Sequence, residues 1–111
     1  MALIDANAVV EAKLAFEKAI ALFPRSSGAF TGLGMVYLLI DQPENAINSF
    51  ETALKFNPRN AKAFNGYGMT LDMINDPEVA QANYRAAMEI EPTNYSYESN
   101  LALAPMALRV I

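Results

Sequence analysis

Residues 27–60 read SGAFTGLGMVYLLIDQPENAINSFETALKFNPRN, and residues 61–94 read AKAFNGYGMTLDMINDPEVAQANYRAAMEIEPTN. Aligned end to end, the two strings place Phe30 on Phe64, Gly32 on Gly66 and Gly34 on Gly68. Ala46 falls on Ala80, Ala53 on Ala87, Leu33 on Tyr67 and Phe50 on Tyr84. Prolines keep the same step: Pro24, Pro58 and Pro92 are each 34 residues apart, as are Pro43 and Pro77. Self-similarity at one fixed period decides the architecture before any local assignment is made. One period upstream, Ala12, Phe16 and Ala19 stand where Ala46, Phe50 and Ala53 stand.

Each period carries signals for two helices. Asn60 and Asn94, with Ser26 at the same step, suit N-caps, whose side-chain oxygens accept from orphan N–H groups. First helices are predicted over 27–40 and 61–74. Asp41-Gln42-Pro43 and Asn75-Asp76-Pro77 then interrupt the chain and set proline in the first turn of a second helix. Glu44 and Glu78 follow, where the positive end of the helix dipole favours carboxylates. Second helices are predicted over 43–56 and 77–90, closed by Pro58 and Pro92. No stretch alternates apolar and polar residues between hairpin turns, so the fold class is all-α. Glycine inside a helix costs about 1 kcal/mol against alanine. Close crossing of the second helix accounts for Gly34 and Gly68, with Ala46 and Ala80 as the expected facing residues. Phe16, Phe50 and Tyr84 are expected to fill the spaces between hairpins.

Composition narrows the chemistry. The 111 residues include 12 acidic and 8 basic side chains, for a net charge of −4, and neither Cys nor His. Disulfides, thiolate or imidazole metal sites, cysteine nucleophiles and histidine-based dyads are therefore excluded. A pI near 4.6 opposes nucleic-acid binding, which rests on clustered Lys and Arg. Hydrophobic residues make up 53% and charged residues 18%, below the roughly 25% of a typical soluble domain. Met-Ala-Leu-Ile-Asp opens the chain, with no basic residue before Lys13, and is not a secretory n-region. No apolar run approaches the roughly 18 residues of a membrane helix, so no direct membrane insertion is expected. The sequence leaves the compartment unspecified, with the cytoplasm as default.

The matching positions resemble the tetratricopeptide repeat (TPR) family, whose 34-residue pattern is W-x2-L-G-x2-Y followed by small, aromatic, small and proline. Phe30-x2-Leu33-Gly34-x2-Tyr37, Ala46, Phe50, Ala53 and Pro58 follow that order. So do Phe64-x2-Tyr67-Gly68-x2-Leu71, Ala80, Tyr84, Ala87 and Pro92, with Phe for Trp in both copies. The resemblance implies a right-handed α-α superhelix of helix-turn-helix repeats. Its expected units are a partial repeat over 1–26 (a second helix), repeats over 27–60 and 61–94, and a partial repeat over 95–111 (a first helix). In that last unit Glu98 stands where the bulky aromatic belongs. The strings from Asn65 to Asp72, Ala80-Gln81, Tyr84 to Ala87 and Asn100 to Leu103 are similar to the repeat lipoproteins of tight-adherence (Flp) pilus assembly. Those proteins begin at a lipidated cysteine, so that kinship implies a fragment with a periplasmic or outer-membrane setting. The translocator chaperones of type III secretion carry similar repeats.

No enzyme chemistry emerges. Gly32-Leu33-Gly34 and Gly66-Tyr67-Gly68 are G-x-G strings, but a third glycine of a dinucleotide loop would fall at Tyr37 or Leu71 and no strand precedes either. Asp72, Asp76 and Glu78 cluster near a turn without the loop spacing of a calcium site, so capping and solvation are their expected roles. Asn94-Tyr95-Ser96 has the glycosylation pattern, but Asn94 is already read as a cap. No nucleophile, base and oxyanion donor can be named together. Neither metal nor cofactor is expected.

By the resemblance, first helices line a concave face. Its positions are Gly28, Thr31, Gly32, Met35, Leu38 and Leu39, then Lys62, Asn65, Gly66, Met69, Asp72 and Met73, then Ser96, Ser99, Asn100 and Leu103. Family members that clamp a peptide carboxylate use Lys, Arg and Asn there. Here only Lys62, Asn65 and Asn100 qualify, without an Arg. The expected groove is apolar, with glycine floors at Gly32 and Gly66 and adaptable methionine walls. It implies an adaptor or scaffold that holds a protein or peptide segment; a structural spacer or a regulatory module of a larger protein is the alternative. Leu3, Ile4, Val9 and Val10 at the head, and Leu101, Leu103, Met106, Leu108, Val110 and Ile111 at the tail, add an expectation of self-association through the terminal helices.

Overall fold

The computed structural model describes residues 6–94, 96 and 97. Five helices follow in order: α1 (Ala6–Leu22), α2 (Ser27–Leu39), α3 (Pro43–Phe56), α4 (Ala61–Met73) and α5 (Pro77–Ile90). No strand occurs among the described residues. Ser26 and Asn60 start α2 and α4 by accepting from the Ala29 and Ala63 amides at 3.1 and 3.0 Å. The second helices start differently. Gln42 and Asp76 make no side-chain cap, and Pro43 and Pro77 with Glu44 and Glu78 occupy the first turn instead.

Each first helix ends in one device. The Gln42 amide donates to Tyr37 O and the Asp41 amide to Leu38 O. The Asp76 amide donates to Leu71 O and the Asn75 amide to Asp72 O. This is the double closure of a Schellman motif, which needs a left-handed residue after the cap. Asp41 and Asn75 supply it, with φ of 57° and 62°; Asp and Asn tolerate this region better than other L residues. Ile40 and Ile74 become C-caps, so α2 and α4 end one residue before the predicted boundary.

Helices pack in hairpins, α2 on α3 and α4 on α5, and hairpins stack through α3 on α4 and α2 on α4. Helix α1 covers α2 from the other side. At the centre Ala46, Phe50, Ala53 and Ala63 are fully buried, flanked by Phe30, Tyr37, Leu38, Leu54 and Tyr67. A Cβ on Gly34 would lie 2.7 Å from the Phe50 ring, and one on Gly66 2.4 Å from the same ring. The aromatic therefore wedges between α2 and α4, with Gly34 and Gly66 on either side of its ring. Gly68 meets the Tyr84 ring as well as the Ala80 carbonyl.

Polar bonds lock the first stacking junction. Asn60 Nδ2 donates to Ser27 Oγ at 2.7 Å and to Thr31 Oγ1 at 2.9 Å. Ser27 Oγ in turn donates to Ala53 O, and Thr31 Oγ1 to Ser27 O. One side chain thus ties the start of α2, the end of α3 and the start of α4. At the far end Tyr97, only 2% exposed, packs against Ala61 and Ala87. It provides the bulky aromatic that is missing at Glu98, one position early.

Candidate functional site

The predicted first-helix face divides into side chains that the fold consumes and side chains that stay open. Thr31 is consumed: it is buried and bonded to Ser27 and Asn60. Gly32 and Gly66 are not a groove floor. A Cβ on Gly32 would stand 2.2 Å from the Phe16 ring, so both glycines face an aromatic of the preceding second helix. Leu38 packs on the Phe50 core. Met69 packs on Leu71, Ala80 and Tyr84, with Asn65 Nδ2 3.6 Å from its sulfur.

Asp72 belongs to the fold as well, where capping and solvation were expected. Its Oδ2 accepts from Tyr84 Oη at 2.7 Å, which joins α4 to α5. Its Oδ1 is buried without a hydrogen-bond partner. Burial and then this bond push the Tyr84 phenol far above its ordinary pKa. Burial, followed by the bond from Tyr97 to Glu91, pushes the Tyr97 phenol up to about 12. Both phenols stay neutral at physiological pH and serve as hydrogen-bond donors.

The large side chains that remain open toward the ends of α2 and α4 are apolar. Met35, Leu39 and Met73 are 37%, 53% and 46% exposed. Lys62 and Gly28 are exposed at the other end of the face. Ser96 is exposed and hydrogen-bonded to Asn94, while Ser99, Asn100 and Leu103 lie outside the described residues. The second helices contrast sharply with this surface. Helix α3 exposes Glu44, Asn45, Asn48, Glu51 and Lys55, and α5 exposes Glu78, Val79, Ala82, Arg85 and Glu89. A depression of about 600 Å³ lies elsewhere, against Leu22 to Ser26 in the α1–α2 connection. No described helix is long and apolar enough to cross a membrane.

Residues 27–60 match the family model for the tetratricopeptide repeat. No curated protein matches the sequence significantly. Solved structures match its fold. The first TPR of Spaghetti (RPAP3), bound to the HSP90 peptide SRMEEVD, superposes with a TM-score of 0.86 at 22% identity, over 91% of this chain and 82% of that one. The first TPR domain of human RPAP3 gives 0.85 at 22%, over 92% and 80%. The crystal structure of MamA gives 0.81 at 22%, over 92% of this chain and 60% of that one. At such identities the likeness is one of fold. The chain therefore has the helix-turn-helix repeat fold of tetratricopeptide-repeat domains, and residues 27–60 match that repeat family directly.

Proposed function

We propose that the chain is a non-catalytic protein-interaction module that holds an apolar segment of a protein partner against Met35, Leu39 and Met73. The carrying observation is the contrast in exposed side chains: methionine and leucine on α2 and α4, mostly charged and polar groups on α3 and α5. Exposed apolar patches of this kind mark interaction sites. The Spaghetti TPR holds an acidic peptide. Here Lys62 is the one cation on α2 and α4, which favours an apolar segment over an acidic one.

Met35→Glu and Met73→Glu are the informative variants, because both side chains are open and the fold does not depend on them. Peptides selected from a random display library against the wild type should bind either variant at least about tenfold more weakly, a loss of about 1.4 kcal/mol or more. Binders that are indifferent to both changes would leave the chain as a spacer.

Self-association is a second reading, favoured by α1. Val10 and Leu14 are 57% and 61% exposed. One period on, Glu44 and Asn48 occupy their places, and Glu78 and Ala82 one period later. Light scattering should show a mass above the monomer that Val10→Glu with Leu14→Glu returns to the monomer. A wild type that stays monomeric at millimolar concentration contradicts this reading. For biological setting the strings around Asn65 to Asp72 and Tyr84 to Ala87 favour pilus or secretion assembly. Pilin, secretin or secretion-ATPase genes beside the coding sequence would support that setting, and their absence would count against it.

A further inference from the structure

The α2–α3 and α4–α5 turns lie on the same edge of the stacked hairpins, since α2 and α3 both pack on α4. Leu39 and Ile40 in one turn, and Met73 and Ile74 in the next, are between 36% and 53% exposed. Large apolar residues thus recur at the same two positions of consecutive repeats along this edge. Burying exposed hydrocarbon is favourable by about 25 cal/mol per Å², so this edge is a candidate surface for a partner.

Charge says which partner. Asp41, Glu44, Asp76 and Glu78 border these residues and are all exposed. No Lys or Arg occurs in residues 26–54 or 63–84. The basic side chains Arg25, Lys55, Arg59 and Lys62 lie at the opposite end of the hairpins, beside the α1–α2 and α3–α4 connections. An apolar segment without cations would lay hydrocarbon beside four carboxylates and leave their charge unmatched. A segment with apolar residues on one face and Lys or Arg along its flanks matches both features. Anionic membranes and nucleic acids are repelled by the same field. A depression formed by Gln42, Pro43, Glu44 and Asn45 gives this edge relief.

We infer that the turn edge docks a cationic amphipathic segment of a protein partner, with Leu39, Ile40, Met73 and Ile74 taking its apolar face and Asp41, Glu44, Asp76 and Glu78 its cations. The inference deepens the proposed function, resting on it through Leu39 and Met73, and names the partner chemistry.

The probes are a Leu/Lys amphipathic peptide and its Leu/Gln counterpart, titrated against the full chain by calorimetry. The turn variant is Asp41→Asn, Glu44→Gln, Asp76→Asn, Glu78→Gln. A control variant, Glu11→Gln, Glu17→Gln, Glu51→Gln, Glu89→Gln, removes the same charge elsewhere. Circular dichroism confirms that both fold. The Leu/Lys peptide should bind the wild type at least about tenfold more tightly than the turn variant, with the control close to wild type. Raising salt from about 20 to about 200 mM should weaken it by a similar factor, as screening shortens the reach of the carboxylates. Equal weakening by turn and control variants overturns the inference, as does Leu/Gln binding as tight as Leu/Lys. Leu/Gln binding that Met35→Glu abolishes would retire the cationic partner and keep the groove. Leu/Lys binding lost in the turn variant but untouched by Met35→Glu would keep the edge and retire the groove.

Discussion

Phe50→Ala is expected to remove about 3–5 kcal/mol of stability, the cost of deleting a fully buried aromatic ring and leaving its cavity. The ring is wholly buried and is wedged between Gly34 and Gly66. Its loss therefore loosens two contacts together, one within a hairpin and one between hairpins. A short array sums few such interfaces, and total stabilities of small domains are only about 5–15 kcal/mol. Much of the helical signal at 37 °C should disappear. Denaturant titration followed by circular dichroism measures the change, and a loss below about 1 kcal/mol would contradict the wedge.

Gly66→Ala sets two effects against each other. Alanine favours the helix by about 1 kcal/mol over glycine. Its Cβ would stand 2.4 Å from the Phe50 Cζ and 2.5 Å from Cε1. An aromatic with free space could tilt away, but the Phe50 ring also lies close against Gly34, where an added Cβ would stand only 2.7 Å from it. Overpacking is therefore expected to win, for a net loss of about 1–3 kcal/mol. The cause can be isolated, because Phe50→Leu opens the slot and should shrink or reverse the effect of Gly66→Ala in a double-mutant cycle. Gly28→Ala serves as the calibration, since nothing lies within 4 Å of its Cβ. A Gly66→Ala protein as stable as the Gly28→Ala one would show that Phe50 does not occupy this slot.

The architecture was legible because period, proline, cap and small-residue signals all pointed to one register. The site was less so, for identifiable reasons. Gly32 and Gly34 are two residues apart, about 200° around a helix, so one faces the preceding repeat and the other its own hairpin. A shared concave floor was never open to Gly32. Thr31 looked like a free polar group because its partner Asn60 is 29 residues away, a distance that no local pattern covers. Tyr97 was missed by one position against the strict ladder. The Asp72–Tyr84 bond did leave a trace: the first copy has Leu38 and Phe50 at those two positions, and the second changes both to polar partners.

The Asn60 bonds carry a consequence for the array as a whole. Asn94 occupies the same step one period later, but Ala61 stands in the place of Ser27 and offers no hydroxyl to it. At the first seam the Asn60 amide meets two hydroxyls, whereas the equivalent places facing Asn94 hold Ala61 and the amide of Asn65. The array is thus periodic in shape but varied in the polar chemistry of its seams, with hydroxyls gathered where α2–α3 meets α4. Two copies of one motif share an outline but not their joinery, and they are no longer interchangeable parts.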